Sequence, residues 1–279
     1  VGMGAVVGGW DGLAAFGQTI YRGEQQFTDV PAGRWQGIEN ETQLRKRYNF
    51  PDGEAPQGAF ISEFDMDFFH FKIPPNNDQP IPQHLLILKV ADRALQDAGL
   101  AEGGNVAVII AAAAELALHS FRGRVDLTWQ IKESLAQSGL DLTTEQEAQL
   151  GKITKAAIHE PAEVNQYTSF IGNIMASRIS SQWDFSGPAF TLSAEENATF
   201  KALEMAQMML ANGEVDAVVV GAVDFAGSVE NVLLRHQQAP VNSGPATLSL
   251  DQNDNGWPIG AEAGVVVLKR NEDALRDQD

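Results

Sequence analysis

The chain has no cysteine among its 279 residues. That absence excludes disulfides, thiolate metal ligands and thiolate nucleophiles, and it accords with a reducing, cytoplasmic setting. No apolar run approaches the roughly 20 residues a helix needs to span a bilayer, and no signal-peptide pattern is visible, so no membrane span is expected. Cations are scarce: 19 Lys and Arg stand against 37 Asp and Glu, a net charge of −18. Such a surface repels phosphate backbones, which argues against nucleic acid as a partner, and it disfavours anionic membranes. The five histidines are His70, His84, His119, His159 and His236. None forms an H-x-x-x-H pair or sits near a suitable carboxylate in sequence, so no metal site and no cofactor is expected.

What is present is ordinary globular material, 44% hydrophobic and able to bury a large core. "VGMGAVV" opens the chain inside an apolar run, and "DALRDQD" closes it like the start of a linker or crossover; a piece of a longer polypeptide is expected. Residues 1–9 read as a buried strand, and 11–22 as a helix with Leu13, Phe16 and Ile20 on one face. Residues 23–80 are loop-rich and punctuated by six prolines, a stretch expected to pack on the surface of a larger unit. "PQHLLILKVADRALQDAG" is a helix over 82–98, stopped by Gly99. "NVAVIIAAAAE" (105–115) is a fully buried strand; 122–140, 142–163 and 166–182 read as helices. Further strands are expected at 189–192, 215–224 and 263–270, with a helix at 197–211. Apolar strands alternating with helices predict an α/β fold with a sheet covered on both faces.

Several motifs carry little. "GMGAVVG" (2–8) has G-x-G-x-x-x-G spacing, not that of a dinucleotide loop, and lacks an obvious acidic partner. "FDMD" (64–67) reads as the edge of the loop region, packed by Phe64, Phe68 and Phe69. "DQNDN" (251–255) lacks the closing glutamate of a calcium loop and reads as a turn.

Four segments together are more specific. "IPQHLLILKVADRALQDAGL" (81–100) resembles the P-Q-x-x-L-L-L helix of β-ketoacyl synthases, and "IGNIMASRISSQWDFSGPAFTL" (171–192) their I-x-N-R-I-S…G-P-S-x-T stretch. "GEVDAVVVGAVD" (213–224) resembles the strand after their nucleophile helix, and "GAEAGVVVLKR" (260–270) their G-E-G-x-G-V-V-V-L-K-R strand. Order and spacing agree over nearly the whole chain. The resemblance implies a thiolase-like fold with αβαβα layers, of which residues 1–279 would be the N-terminal half, with the family's catalytic histidines in the other half.

In an active ketosynthase the nucleophilic cysteine lies nine residues after the glycine of G-P; counted from Gly187, that position is Glu196. A carboxylate is a weak nucleophile and would form a mixed anhydride, so condensation by this chain is not expected. Chain-length factors, the inactive partners of ketosynthases, carry Glu-Gln where this chain has Glu195 and Glu196. "SAEENATFKALEMA" and "LHSFRGRVDL" also look like the multienzymes that make polyunsaturated fatty acids. The resemblance thus implies a non-condensing partner that dimerises with an active ketosynthase, or with itself, and shapes an acyl tunnel. Tyr167, Phe170, Ile171, Met175, Phe200 and Met205 are the tunnel or interface candidates. An acyl carrier protein is a further partner the resemblance allows, although such carriers are acidic and this acidic chain would not be their main docking face. Two other readings stand beside it: a malonyl decarboxylase of the Gln-type loading class, and a ketosynthase-like domain fused upstream of an acyltransferase. Independently of family, Ser193-x-x-Glu196 fits a capping box, with both glutamates in the first helical turn where the dipole favours anions.

Overall fold

A computed structural model describes residues 1–25, 27–31, 34, 42–50, 56–73, 81–113, 131–132, 134–158, 171–225, 227–242 and 256–279. The chain divides into two compact units, Val1–Ala114 with Ile171–Asp279, and Glu115–Phe170.

The described residues of the first unit form a seven-stranded mixed sheet. Its strands are β1 (Gly2–Val7), β2 (Trp10–Asp11), β3 (Gly58–Ala59), β4 (Val106–Ala112), β5 (Ala189–Leu192), β6 (Ala217–Phe225) and β7 (Ile259–Lys269). The order is β2-β1-β7-β6-β4-β5, with β3 also pairing β7. β4 runs parallel to β5 and β6, while β7 is antiparallel to β6 and β1. β4 is apolar at every position and buried at every position, as a parallel strand covered on both faces must be. β7 instead alternates buried with partly open residues at period two, so one of its faces is less covered.

Around the sheet lie α1 (Leu13–Arg22), α2 (Thr42–Arg47), α3 (Pro82–Asp97), α5 (Ile174–Gln182), α6 (Ala198–Ala211), α7 (Val229–Gln238) and α8 (Asn271–Asp277); α4 (Thr144–Ile158) belongs to the second unit. α3 and α5 cover one face. Leu86, Ile87, Val90 and Leu95 are fully buried there against Val108, Ile110 and Val265, and each large side chain contributes about 1.5–3 kcal/mol by its burial. α6 covers β4 and β6 on the opposite face. It presents Ala198, Ala202, Ala206 and Leu210 at every fourth position, and the small side chains let it approach Ile109, Val218 and Val220 closely.

Within the described residues the expected elements are found, with differences at their edges; the helix expected over 166–182 spans Ile174–Gln182, and 166–170 lie outside the described residues. The first helix begins at Leu13; its Ile20 is 64% exposed, and Thr19 is the buried residue of that turn. The loop-rich stretch contains α2 and β3. The last strand starts at Ile259, four residues earlier than expected. The segment expected to start a linker or crossover is helix α8. Lys269 Nζ donates to Asp279 at 2.6 Å and to Asp277 at 3.3 Å, and Arg270 reaches Asp273 at 2.5 Å and the Val215 carbonyl at 2.8 Å.

In the second unit, α4 is opened by a reciprocal cap: Gln146 N–H donates to Thr143 Oγ1 at 3.3 Å, and Thr143 N–H to Gln146 Oε1 at 2.9 Å. The rest of the expected 142–163 helix, residues 159–163, lies outside the described residues, as do most of 122–133. Lys132 pairs with Glu147 at 3.6 Å.

Candidate functional site

The strand-to-helix elbow after β5 is built by close approach. A Cβ on Gly187 would stand 2.8 Å from Ala107 N and closer still to the Val106 carbonyl, so only glycine lets the chain enter β5 beside β4. Asn173, just before α5, accepts the Thr191 N–H through Oδ1 at 2.8 Å, and Thr191 Oγ1 donates to the Gly172 carbonyl at 2.9 Å. These two bonds hold the last strand of the sheet just ahead of the elbow.

The elbow itself differs from the expected capping box. Glu195 is left-handed, with φ 51°, and residues Glu195–Asn197 form one 3₁₀ turn closed by Asn197 N–H on the Ala194 carbonyl at 3.1 Å. The α-helix starts only at Ala198, so Glu196 precedes the first helical turn and cannot serve as its third residue. The cap of the 3₁₀ turn is Ala194, with no side-chain bond, and that of α6 is Asn197, again without one. Glu195 and Glu196 both reach solvent.

Of the tunnel or interface candidates, Tyr167 and Phe170 lie outside the described residues. Ile171, Phe200 and Met205 are exposed, Phe200 to 72%, whereas Met175 is packed in the core with α3 and the sheet. Phe200 follows the elbow on α6, Ile171 precedes α5, and β5 has a neighbour on one side alone among the described strands.

The other singled-out features have structural work. A Cβ on Gly2 would collide with the Ala94 carbonyl and one on Gly4 with that of Val90, so "GMG" serves the packing of α3 against β1. Asp67 of "FDMD" caps a turn, accepting from the N–H groups of Phe69 and His70 at 3.0 Å each, while Phe69 is 95% exposed and Phe68 is exposed too, so Phe64 alone of the three packs on the core. "DQNDN", His119 and His159 lie outside the described residues. His236 is held by the Asn49 carbonyl and the Val241 N–H, and His70 pairs with Asp92 at 3.2 Å. His84 is buried, and its titration is pushed down to about 4 by that burial and then by the Arg178 charge.

A site that the sequence did not announce lies between α1 and the β6–β7 end of the sheet. There a cavity of about 640 Å³ is lined by Trp10, Phe16, Phe27 and Trp257, with Asp224, Arg235, Glu262 and Glu24 as its charged groups. Arg235 donates to Asp224 at 2.8 Å. Burial among the walls, and then the Asp224 charge, raises the Glu262 carboxyl above the usual glutamate range, although Glu262 remains open to water on its strand. The available signal was Glu262 itself, a lone charge among the small residues of "GAEAG". No cluster of three or more acidic or histidine ligands occurs among the described residues, and none of their helices is long and apolar enough to cross a membrane.

Residues 1–274 match the family model described as β-ketoacyl synthase, N-terminal domain. A polyunsaturated fatty acid synthase of Thraustochytrium sp. has a polypeptide that is 34% identical over 275 residues, 96% of this chain and 12% of that protein. 5-Methyl-1-naphthoate synthase of Streptomyces sahachiroi is 26% identical over 97% of the chain and 13% of its own length. Among solved structures, PfaC keto synthase–chain length factor superposes with a TM-score of 0.87 at 42% identity, covering 98% of this chain and 28% of that one. The ketosynthase from module 6 of the bacillaene synthase of Bacillus subtilis 168 superposes with a TM-score of 0.67 at 19% identity, covering all of this chain and 41% of that one, a likeness of fold. The chain thus spans between about an eighth and two fifths of the length of these relatives. The layered α/β architecture is the thiolase-like ketosynthase fold, and the chain belongs to the β-ketoacyl synthase family.

Proposed function

We propose that this chain is a non-condensing, chain-length-factor-like element of a polyunsaturated fatty acid or polyketide synthase, that it supplies the N-terminal half of a ketosynthase-type fold, and that it pairs with an active ketosynthase to wall the acyl tunnel. The observation that carries the reading is the occupant of the nucleophile position. Counted from Gly187, that position holds Glu196, in a chain with no cysteine at all. The local frame of a nucleophile elbow is retained while the group that would accept an acyl chain is missing, and a carboxylate cannot replace a thiolate in thioester exchange.

Two findings support the pairing. The names of two relatives, a polyunsaturated fatty acid synthase and a keto synthase–chain length factor, belong to that class of assembly. Ile171, ahead of α5, and Phe200, on α6, are also exposed, and β5 has a neighbour on one side alone among the described strands. Glu196 stands in solvent and outside the lining of the cavity, which favours a structural partner over a decarboxylase.

Light scattering tests this on the intact chain, alone and with its candidate ketosynthase, for the natural sequence and E196C. A one-to-one complex that tolerates E196C is expected. A stable homodimer that ignores the ketosynthase would overturn the reading and turn attention to malonyl decarboxylation.

A further inference from the structure

The cavity beside α1 has no part in that reading and does not depend on it. Its walls are mostly apolar and aromatic; Asp224 and Glu262 face it from the sheet, Arg235 from α7, and Thr19, Glu24 and Gln25 from α1 and the segment after it. Asp224 and Glu262 are register partners on β6 and β7, so their side chains emerge together on one face of the sheet. Arg235 answers the first of them: it donates to Asp224 at 2.8 Å, with its guanidinium 5.6 Å from the centre of the Trp257 ring. Glu262 has no ion pair or side-chain hydrogen bond among the described residues. The other acidic group of the lining, Glu24, is 3.6 Å from Arg22.

We propose that this cavity is a binding site for a small organic monocation, a primary alkylammonium whose head meets Glu262 and whose apolar body lies along Trp10, Phe16 and Trp257. The volume falls in the range of about 300–1,000 Å³ typical of small-molecule sites. Three carboxyls against one arginine in the lining repel carboxylates and phosphates. They favour a group that brings both a positive charge and hydrogen-bond donors, and aromatic walls add to the attraction of a cation. The charged and titratable groups facing Glu262 are Asp224 from β6, Arg235 from α7 and Glu24 from the segment after α1; β1 contributes Val7. The site is therefore expected to hold an ammonium better as pH rises and Glu262 ionises.

Calorimetric titration of the full chain with hexylammonium chloride, hexanol and sodium hexanoate tests the assignment. Hexylammonium is expected to bind about tenfold or more tighter than hexanol, and hexanoate not to bind. E262Q is expected to lower hexylammonium affinity about tenfold while leaving hexanol affinity unchanged, which also shows that the cavity survives the substitution. Equal affinity for hexylammonium and hexanol, undiminished hexylammonium binding by E262Q, or no binding of either ligand by the folded natural chain would overturn the proposal. Should E262Q bind neither ligand, the natural chain decides: a hexylammonium-to-hexanol affinity ratio that does not rise between pH 4, below the ordinary glutamate value, and pH 7.5 overturns it.

Discussion

The side chain of Asn173 accepts the backbone N–H of Thr191 at 2.8 Å, joining the start of α5 to the open edge of β5. An edge strand presents unpaired donors, and this bond takes one of them immediately before the elbow. N173A is expected to cost about 0.5–1.5 kcal/mol, the range for a single hydrogen bond, with water replacing part of the loss because the pair is solvent-reachable. N173D keeps an acceptor in place and should lose less. Thermal unfolding of the two variants checks the order; a fall of a few degrees in Tm for N173A is expected, at about 2–4 °C per kcal/mol for a large domain.

Gly187 sets a harder constraint on the same strand. The atoms a Cβ would meet are the backbone of Val106 and Ala107, which no rotamer change can move aside. G187A must therefore push β5 away from β4 and break a register that places Val108 opposite Ala189. A cost of about 1–3 kcal/mol or more is expected, read as a lower urea midpoint. An unchanged midpoint would mean that β5 does not sit as described.

The sequence made some of this legible and hid the rest for physical reasons. α3 and β4 declared themselves through apolar positions whose spacing leaves one structure open to them, and the four-residue recurrence of Ala198, Ala202 and Ala206 marks a helix face made for close contact. Strand direction leaves no such trace, so the antiparallel insertion of β7 between β1 and β6 came from the structure alone. Capping motifs were misleading in one place and missed in another. Ser193-x-x-Glu196 has the right residues and no cap, because a left-handed Glu195 delays the helix to Ala198, while Thr143-x-x-Gln146 forms the reciprocal pair. The nucleophile position could be counted from Gly187. The cavity could not be foreseen, since it joins residues from Trp10 to Glu262 that no local pattern connects.

The elbow glutamates separate into one that is strained and one that is free. A left-handed backbone costs a residue with a Cβ about 1–2 kcal/mol, more than glycine loses in chain entropy, about 0.5–1 kcal/mol. E195G is accordingly expected to stabilise the chain by up to about 1 kcal/mol, and E195V to destabilise it by at least about 1 kcal/mol. Glu196 is exposed and caps nothing, so E196A should stay within about 0.5 kcal/mol of the natural chain. Urea unfolding of the three variants distinguishes this from a working capping box, whose loss would cost about 1 kcal/mol at Glu196.

His84 gives the chain an acid sensitivity. It is 6% exposed in the first turn of α3, its Nδ1 has no hydrogen-bond partner among the described residues, and it titrates at about 4 in the folded chain against 6.5 when free. Burial is the main cause and the nearby Arg178 charge the second. Between those two values the unfolded chain binds the proton and the folded chain does not. Stability due to the neutral imidazole is therefore fully present above pH 6.5 and falls as the pH drops toward about 4, below which no more is lost. The difference corresponds to about 3 kcal/mol across the window. H84L removes the proton uptake and the unpartnered nitrogen together, so its unfolding free energy should vary less between pH 6.5 and pH 4 and exceed that of the natural chain at pH 4. Equally steep profiles for both proteins would assign the acid sensitivity to other groups.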